Sequence, residues 1–80
     1  MQIEIKLFTQ LKQYLPDTDL AGSSRFLDIA EPATVQDVLQ KLGIPLEMPK
    51  VIMINERQGA MDDDLAANDR LTIFPSVGGG

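Results

Sequence analysis

The sequence has no cysteine, no histidine and no tryptophan. Without cysteine there is no disulfide staple, no thiolate-held metal and no thiol nucleophile. Without histidine the commonest general base and the commonest metal ligand are missing as well. Basic residues are scarce, 7 Lys and Arg against 12 Asp and Glu, for a net charge of −5. A nucleic-acid binder needs clustered cations to neutralise phosphates, so that class is excluded. The sign suits a protein that docks on more basic partner surfaces, as it suits many acidic soluble proteins. No apolar run approaches the ~20 residues needed to span a membrane. The N-terminus carries no signal-peptide pattern, so no membrane partner is expected and the chain reads as cytoplasmic.

What is present reads as one small domain. Eighty residues leave room for a single core. Residues 2–8 alternate, with Ile3, Ile5 and Leu7 on one side and Gln2, Glu4 and Lys6 on the other, which is the period of a half-buried strand. Leu11, Tyr14 and Leu15 then fall at helical spacing before Pro16, and residues 17–24 are polar with Gly22, which predicts a short helix and a loop. Residues 25–30 alternate again around Leu27 and Ile29. The strongest helix signal covers 34–42. Thr34 can cap it, Asp37 sits three residues on, Val35, Val38, Leu39 and Leu42 share a face, and Gly43 with Pro45 ends it. Residues 51–54 form an apolar run expected as a central strand, 55–59 a turn, 60–68 an irregular stretch with at most a short strand or helical turn, and 71–74 a last strand, with a tail from Pro75 onward.

This order predicts an α+β domain in which one main helix covers one face of a four- or five-stranded sheet. Phe8, Phe26 and Phe74 all have the parity opposite to the apolar positions of their strands. They therefore belong to the uncovered face, where an open apolar patch marks a partner surface. The competing account is that loops fold over them or that strand ends twist out of register.

The chain ends Phe74-Pro75-Ser76-Val77-Gly78-Gly79-Gly80. Terminal glycines are commonly a flexible end and nothing more. They also suit a carboxylate that must be threaded into a narrow partner channel, because glycine has no Cβ and accepts almost any backbone conformation. Six residues from Pro75 can reach roughly 20 Å when extended. The sequence offers no nucleophile–base pair and no phosphate-cradling loop, so activation of that carboxylate has to come from outside.

The ending FPSVGGG, with Asn68-Asp69-Arg70-Leu71-Thr72-Ile73 before it, resembles the ends of the MoaD/ThiS sulfur carriers. Ile5-Lys6-Leu7-Phe8-Thr9-Gln10-Leu11-Lys12 resembles the first strand and following helix of the small subunit of molybdopterin synthase. Pro32-Ala33-Thr34-Val35 before the main helix and Val51–Ile54 followed by Asn55 also fall where that family has them. The resemblance spans essentially the whole chain. Two positions depart from it: Gly78 precedes the diglycine, and Ser76 stands where a second proline is common.

The resemblance implies a ubiquitin-like β-grasp domain over residues 1–75, with a mixed four- to five-stranded sheet and one main helix on one face, and a flexible tail over 76–80. It implies that a ubiquitin-activating-type enzyme adenylates Gly80 with ATP and that a persulfide donor converts it to a thiocarboxylate. In the molybdopterin branch, favoured by chain length and by the helix after the first strand, the sulfur passes to a pterin precursor in the large synthase subunit; in the thiamine branch it enters the thiazole. The chain is then a carrier subunit of a sulfurtransferase complex with no bound cofactor of its own. Ser76, Val77, Gly78 and Gly79 would thread the tail, and Phe8, Phe26, Phe74, Pro75, Lys12 and Arg70 would meet partners. A ubiquitin-like modifier that forms isopeptide bonds, and a plain interaction domain with an inert tail, share these residues. Asp62-Asp63-Asp64 reads as a solvated turn rather than a site for a hard cation. Asn55 reads as a turn residue, and Met48, Met53 and Met61 as gap-filling side chains.

Overall fold

A computed structural model describes residues 1–15 and 24–76. Strand β1 (Gln2–Leu7) buries Ile3, Ile5 and Leu7 completely, as its alternation requires, and Phe8 lies just beyond its end. The chain turns there through Thr9, at φ +50, into a 3-10 helix over Thr9–Tyr14 that buries Leu11, with Leu15 buried just after it. Its six residues lack a side-chain cap, and such short pieces commonly take the tighter helix. Of the expected loop over 17–24 only Ser24 lies within the described residues, and it opens β2 (Ser24–Asp28).

Helix α1 (Val35–Leu42) forms where its signals place it. The Thr34 hydroxyl accepts from the Asp37 amide at 3.3 Å, and the Asp37 carboxylate accepts from the Thr34 amide at 2.9 Å, closing the capping box. Gly43 ends the helix at φ +83, a left-handed conformation that glycine adopts without a Cβ penalty. The expected irregular stretch has a structural task. It passes the start of α1, where the Asp63 and Met61 carbonyls accept from the Val35 and Gln36 amides and a single antiparallel bridge joins Thr34 to Asp64. Two amides that the helix cannot satisfy internally are thereby bonded.

Strand β3 (Lys50–Ile54) turns through Asn55 and Glu56, both at positive φ, into β4 (Arg57–Gln58), two residues of strand within what the sequence predicts as a plain turn. Strand β5 (Arg70–Pro75) extends the expected 71–74 by one residue at each end, and the Ser76 amide still donates to the Pro49 carbonyl at 3.2 Å. Sheet hydrogen bonding thus reaches one residue into the segment expected as tail. Val77, Gly78, Gly79 and Gly80 lie outside the described residues.

The five strands form one mixed sheet in the order β2-β1-β5-β3-β4. β1 and β5 are parallel at its centre, and the remaining pairs are antiparallel. Val35, Val38 and Leu39 of α1 share one buried cluster with Ile3, Ile5, Ile52, Leu71 and Ile73 of the sheet. The α+β architecture with one helix on one face is as the element order predicts. Among the described residues no helix is long and apolar enough to cross a membrane.

Candidate functional site

Strand β5 governs the site because the chain's last residues leave from its end. Leu71 and Ile73 point into the core, so Arg70, Thr72 and Phe74 point to the open face of the sheet. The parallel pairing sets Thr72 beside Lys6, and the antiparallel pairing sets it beside Met53 and sets Phe74 beside Val51. Phe8, just past β1, comes against Phe74 with ring centres 4.7 Å apart and planes only 9° from parallel. Phe74 is 39% exposed and Val51 38%, which leaves an apolar surface in the open two residues before Ser76. Pro75 lies opposite Lys50 at the strand's last position, where its missing N–H costs the ladder least.

Phe26 is more exposed still, at 67%, and it too faces away from the core. It stands apart from the aromatic pair: its cross-strand neighbour is Glu4, whereas Phe8 lies four residues further along β1's direction. Parity therefore identifies the face correctly for all three rings, and register unites only two of them.

The charges on this face divide by position. Arg70 donates from Nε to Glu4 Oε1 at 3.0 Å, so its cation is paired within the chain. The Lys6 ammonium stands 5.3 Å from the centre of the Phe8 ring, within cation–π range. Lys12 lies exposed on the 3-10 helix. Below the pair formed by Arg70 and Glu4, Asn55 does more than make a turn. Its amide and side-chain oxygen bond the Arg70 carbonyl and amide, each at 2.9 Å, and its Nδ2 donates to Asp69 Oδ1 at 2.7 Å. Asp69 Oδ2 in turn accepts from the Ala66 amide at 2.8 Å. This bracket fixes where β5 begins. Sequence reading misses it because its members lie 14 and 15 residues apart.

At the other end of β5, the Lys50 Nζ donates to the Leu46 carbonyl at 2.9 Å. Burial pushes its pKa below the ordinary lysine value, and nearby Glu47 acts in the opposite direction. In the acidic run, Asp63 spends its carboxylate on the Ala60 amide at 2.8 Å, and among the described residues no group of three or more acids is placed to hold a metal ion. Within those residues the candidate site is thus an exposed, partly apolar face beside the end of β5, with Ser76 at its edge.

A model of the ThiS family matches residues 5–80 of the chain. None of the curated proteins matches the sequence. Among solved structures the chain is similar to SAMP1, the small archaeal modifier protein 1 of Haloferax volcanii, with 26% identity over all of both chains and a TM-score of 0.74. It is similar to the Haloferax volcanii protein HVO 2177 at 25% identity, covering all of this chain and 87% of that one, with a TM-score of 0.77. It also shares its fold, at 20% identity, full coverage of both chains and a TM-score of 0.59, with a chain in the complex of subunits 1 and 2 of the molybdopterin-converting factor from Helicobacter pylori.

Proposed function

The chain belongs to the ThiS family, and on that premise we propose that it is a sulfur carrier whose Gly80 carboxylate is the working group. The observation that carries this reading is the extent of the family match, which runs through the glycine end to residue 80. A ubiquitin-activating-type enzyme docks on the open face around Phe8 and Phe74 and joins the Gly80 carboxylate to AMP from ATP. The terminal sulfur of a persulfide then displaces AMP, and a second thiol of the donor or enzyme attacks the donor-side sulfur of the resulting acyl disulfide, forming a disulfide with it and releasing a thiocarboxylate on Gly80. The chain itself holds no cofactor. Its contribution is the docking face and a tail, from Ser76 through Val77, Gly78 and Gly79, slim enough to enter a partner's channel. The acceptor is the pterin precursor in the large subunit of a molybdopterin synthase. The converting-factor complex that shares the fold supports a partner of that kind.

A second reading has its own support. Identity to the archaeal modifier, 26%, exceeds the 20% shared with the converting-factor chain. In that reading the same activated glycine is attacked by a lysine amine and forms an isopeptide bond. One experiment separates the two. The chain is co-expressed with the activating enzyme and the persulfide donor of its own organism, treated with a thiol alkylating reagent and weighed intact. Because the sequence has no cysteine, a single alkyl adduct on the Gly80 peptide identifies a thiocarboxylate. An unmodified mass beside an active activating enzyme overturns the carrier reading, and lysine-linked conjugates one chain larger in the same sample establish the modifier.

A further inference from the structure

The open face is not uniformly apolar, and its polarity is arranged. Lys6, Thr72, Phe8, Phe74, Met53, Arg70 and Glu56 line one shallow cavity of about 310 Å³. Arg70 and Glu56 also border the neighbouring cavity with Glu4, so the acids of this face gather around Arg70. Lys6 lines that same cavity with its ammonium 5.3 Å from the centre of the Phe8 ring. Among the described residues its ammonium has no carboxylate within ion-pair distance, and the Thr72 hydroxyl beside it makes no hydrogen bond. A cation and a hydroxyl donor are thus left unused next to an exposed apolar anchor site.

Docking strips water from both groups, and a cation desolvated over an aromatic ring favours binding strongly only if the partner supplies the opposite charge. The chain as a whole carries −5, so a partner surface that fits it is mostly basic, and a carboxylate on that surface is tolerated only where it meets a cation. We infer that Lys6 sets the register of this face: the partner seats an apolar side chain on Phe8, Phe74 and Met53 and places an Asp or Glu carboxylate on the Lys6 ammonium, within reach of the Thr72 hydroxyl. The inference rests on the proposed function, which supplies the activating enzyme as that partner.

The test uses the full chain and the activating enzyme of the same organism. A carbodiimide, which joins an amine and a carboxylate only when they already touch, is applied to the complex, and the linked peptides are read by mass spectrometry. The expected product links Lys6 to an Asp or Glu of the enzyme. In titrations, Lys6→Glu weakens binding about tenfold or more, while Lys6→Arg stays within about threefold of the original. Added salt weakens the original chain more than Lys6→Ala. Crosslinks confined to Lys12, Lys41 or Lys50 overturn the inference. So does a Lys6→Glu chain that binds undiminished while Phe74→Ala does not, and so does an original chain that fails to bind the enzyme at all. A complex linked through Lys6 in which Gly80 never gains sulfur keeps the inference and removes the sulfur-carrier reading.

Discussion

Asn55 makes three hydrogen bonds to Asp69 and Arg70 from a backbone at φ +51. Two separate properties are in use there, tolerance of the left-handed conformation and a side chain that both donates and accepts. Asn55→Ala loses both and is expected to lower the unfolding free energy by about 2 kcal/mol. Asn55→Gly keeps the conformation and loses only the side-chain bonds, so its urea midpoint should fall between the two. Equal losses in both variants would show that the backbone conformation contributes nothing. The turn itself was legible, since Asn favours such positions. Its partners were not, because a bond between residue 55 and residue 69 leaves no periodic trace along the chain. The open face was legible for the opposite reason. The parity of Phe8, Phe26 and Phe74 is a local property of each strand, whereas their separation into a pair and a lone ring depends on register between strands.

Helix α1 was the most readable element because its signals are all short-range: a cap and its acid three residues apart, an apolar stripe, and a glycine stop. Strand β4 was unreadable, since two residues cannot show an alternation. Nothing in either strand's pattern names its neighbour, so the parallel pairing of β1 with β5 is not legible from the strands; the mixed sheet follows only from the resemblance to the β-grasp carriers. The segment 61–65 shows the limit most clearly. Its bonds to the start of α1 run from backbone to backbone, so its side chains carry no mark of them. This gives the element a divided N-terminus, with Thr34 and Asp37 satisfying part of it and the 61–65 carbonyls the rest. Thr34→Ala should therefore cost about 1 kcal/mol, the usual value of one lost cap, and leave the helix formed. Circular dichroism with thermal melting checks this. Loss of the helix signal altogether would mean that the 61–65 segment does not hold the helix start by itself.

For the molecule as a whole, stability and function draw on different residues. Lys50 bears on stability. Its pKa is lowered in the folded chain by burial, so the unfolded chain holds that proton more tightly. The penalty is full below the folded pKa, fades as pH rises from there, and is gone above the ordinary value of 10.5. Measured against Lys50→Met, the original chain should thus gain stability between neutral pH and pH 10.5, which paired urea titrations would detect; a constant difference across that range would remove the assignment. In the proposed carrier, Phe74 and the terminal glycines bear on function, and they act at separate steps. Phe74 is 39% exposed, so Phe74→Ala loses mainly its stacking on Phe8, about 1 kcal/mol, and the fold survives. Its loss removes docking surface that is equally present in the ground and transition states, so it should raise the activating enzyme's KM for the chain and leave kcat nearly unchanged. Deletion of Gly79 and Gly80 draws the terminal carboxylate back to Gly78, about 7 Å short of its proposed reacting position, and leaves the open face whole. That variant should melt at the same temperature, compete with the intact chain for the enzyme, and never be adenylated. If the deleted chain neither competes nor binds, the tail and not the sheet face carries the affinity, and the division between a folded docking surface and a reactive end does not hold.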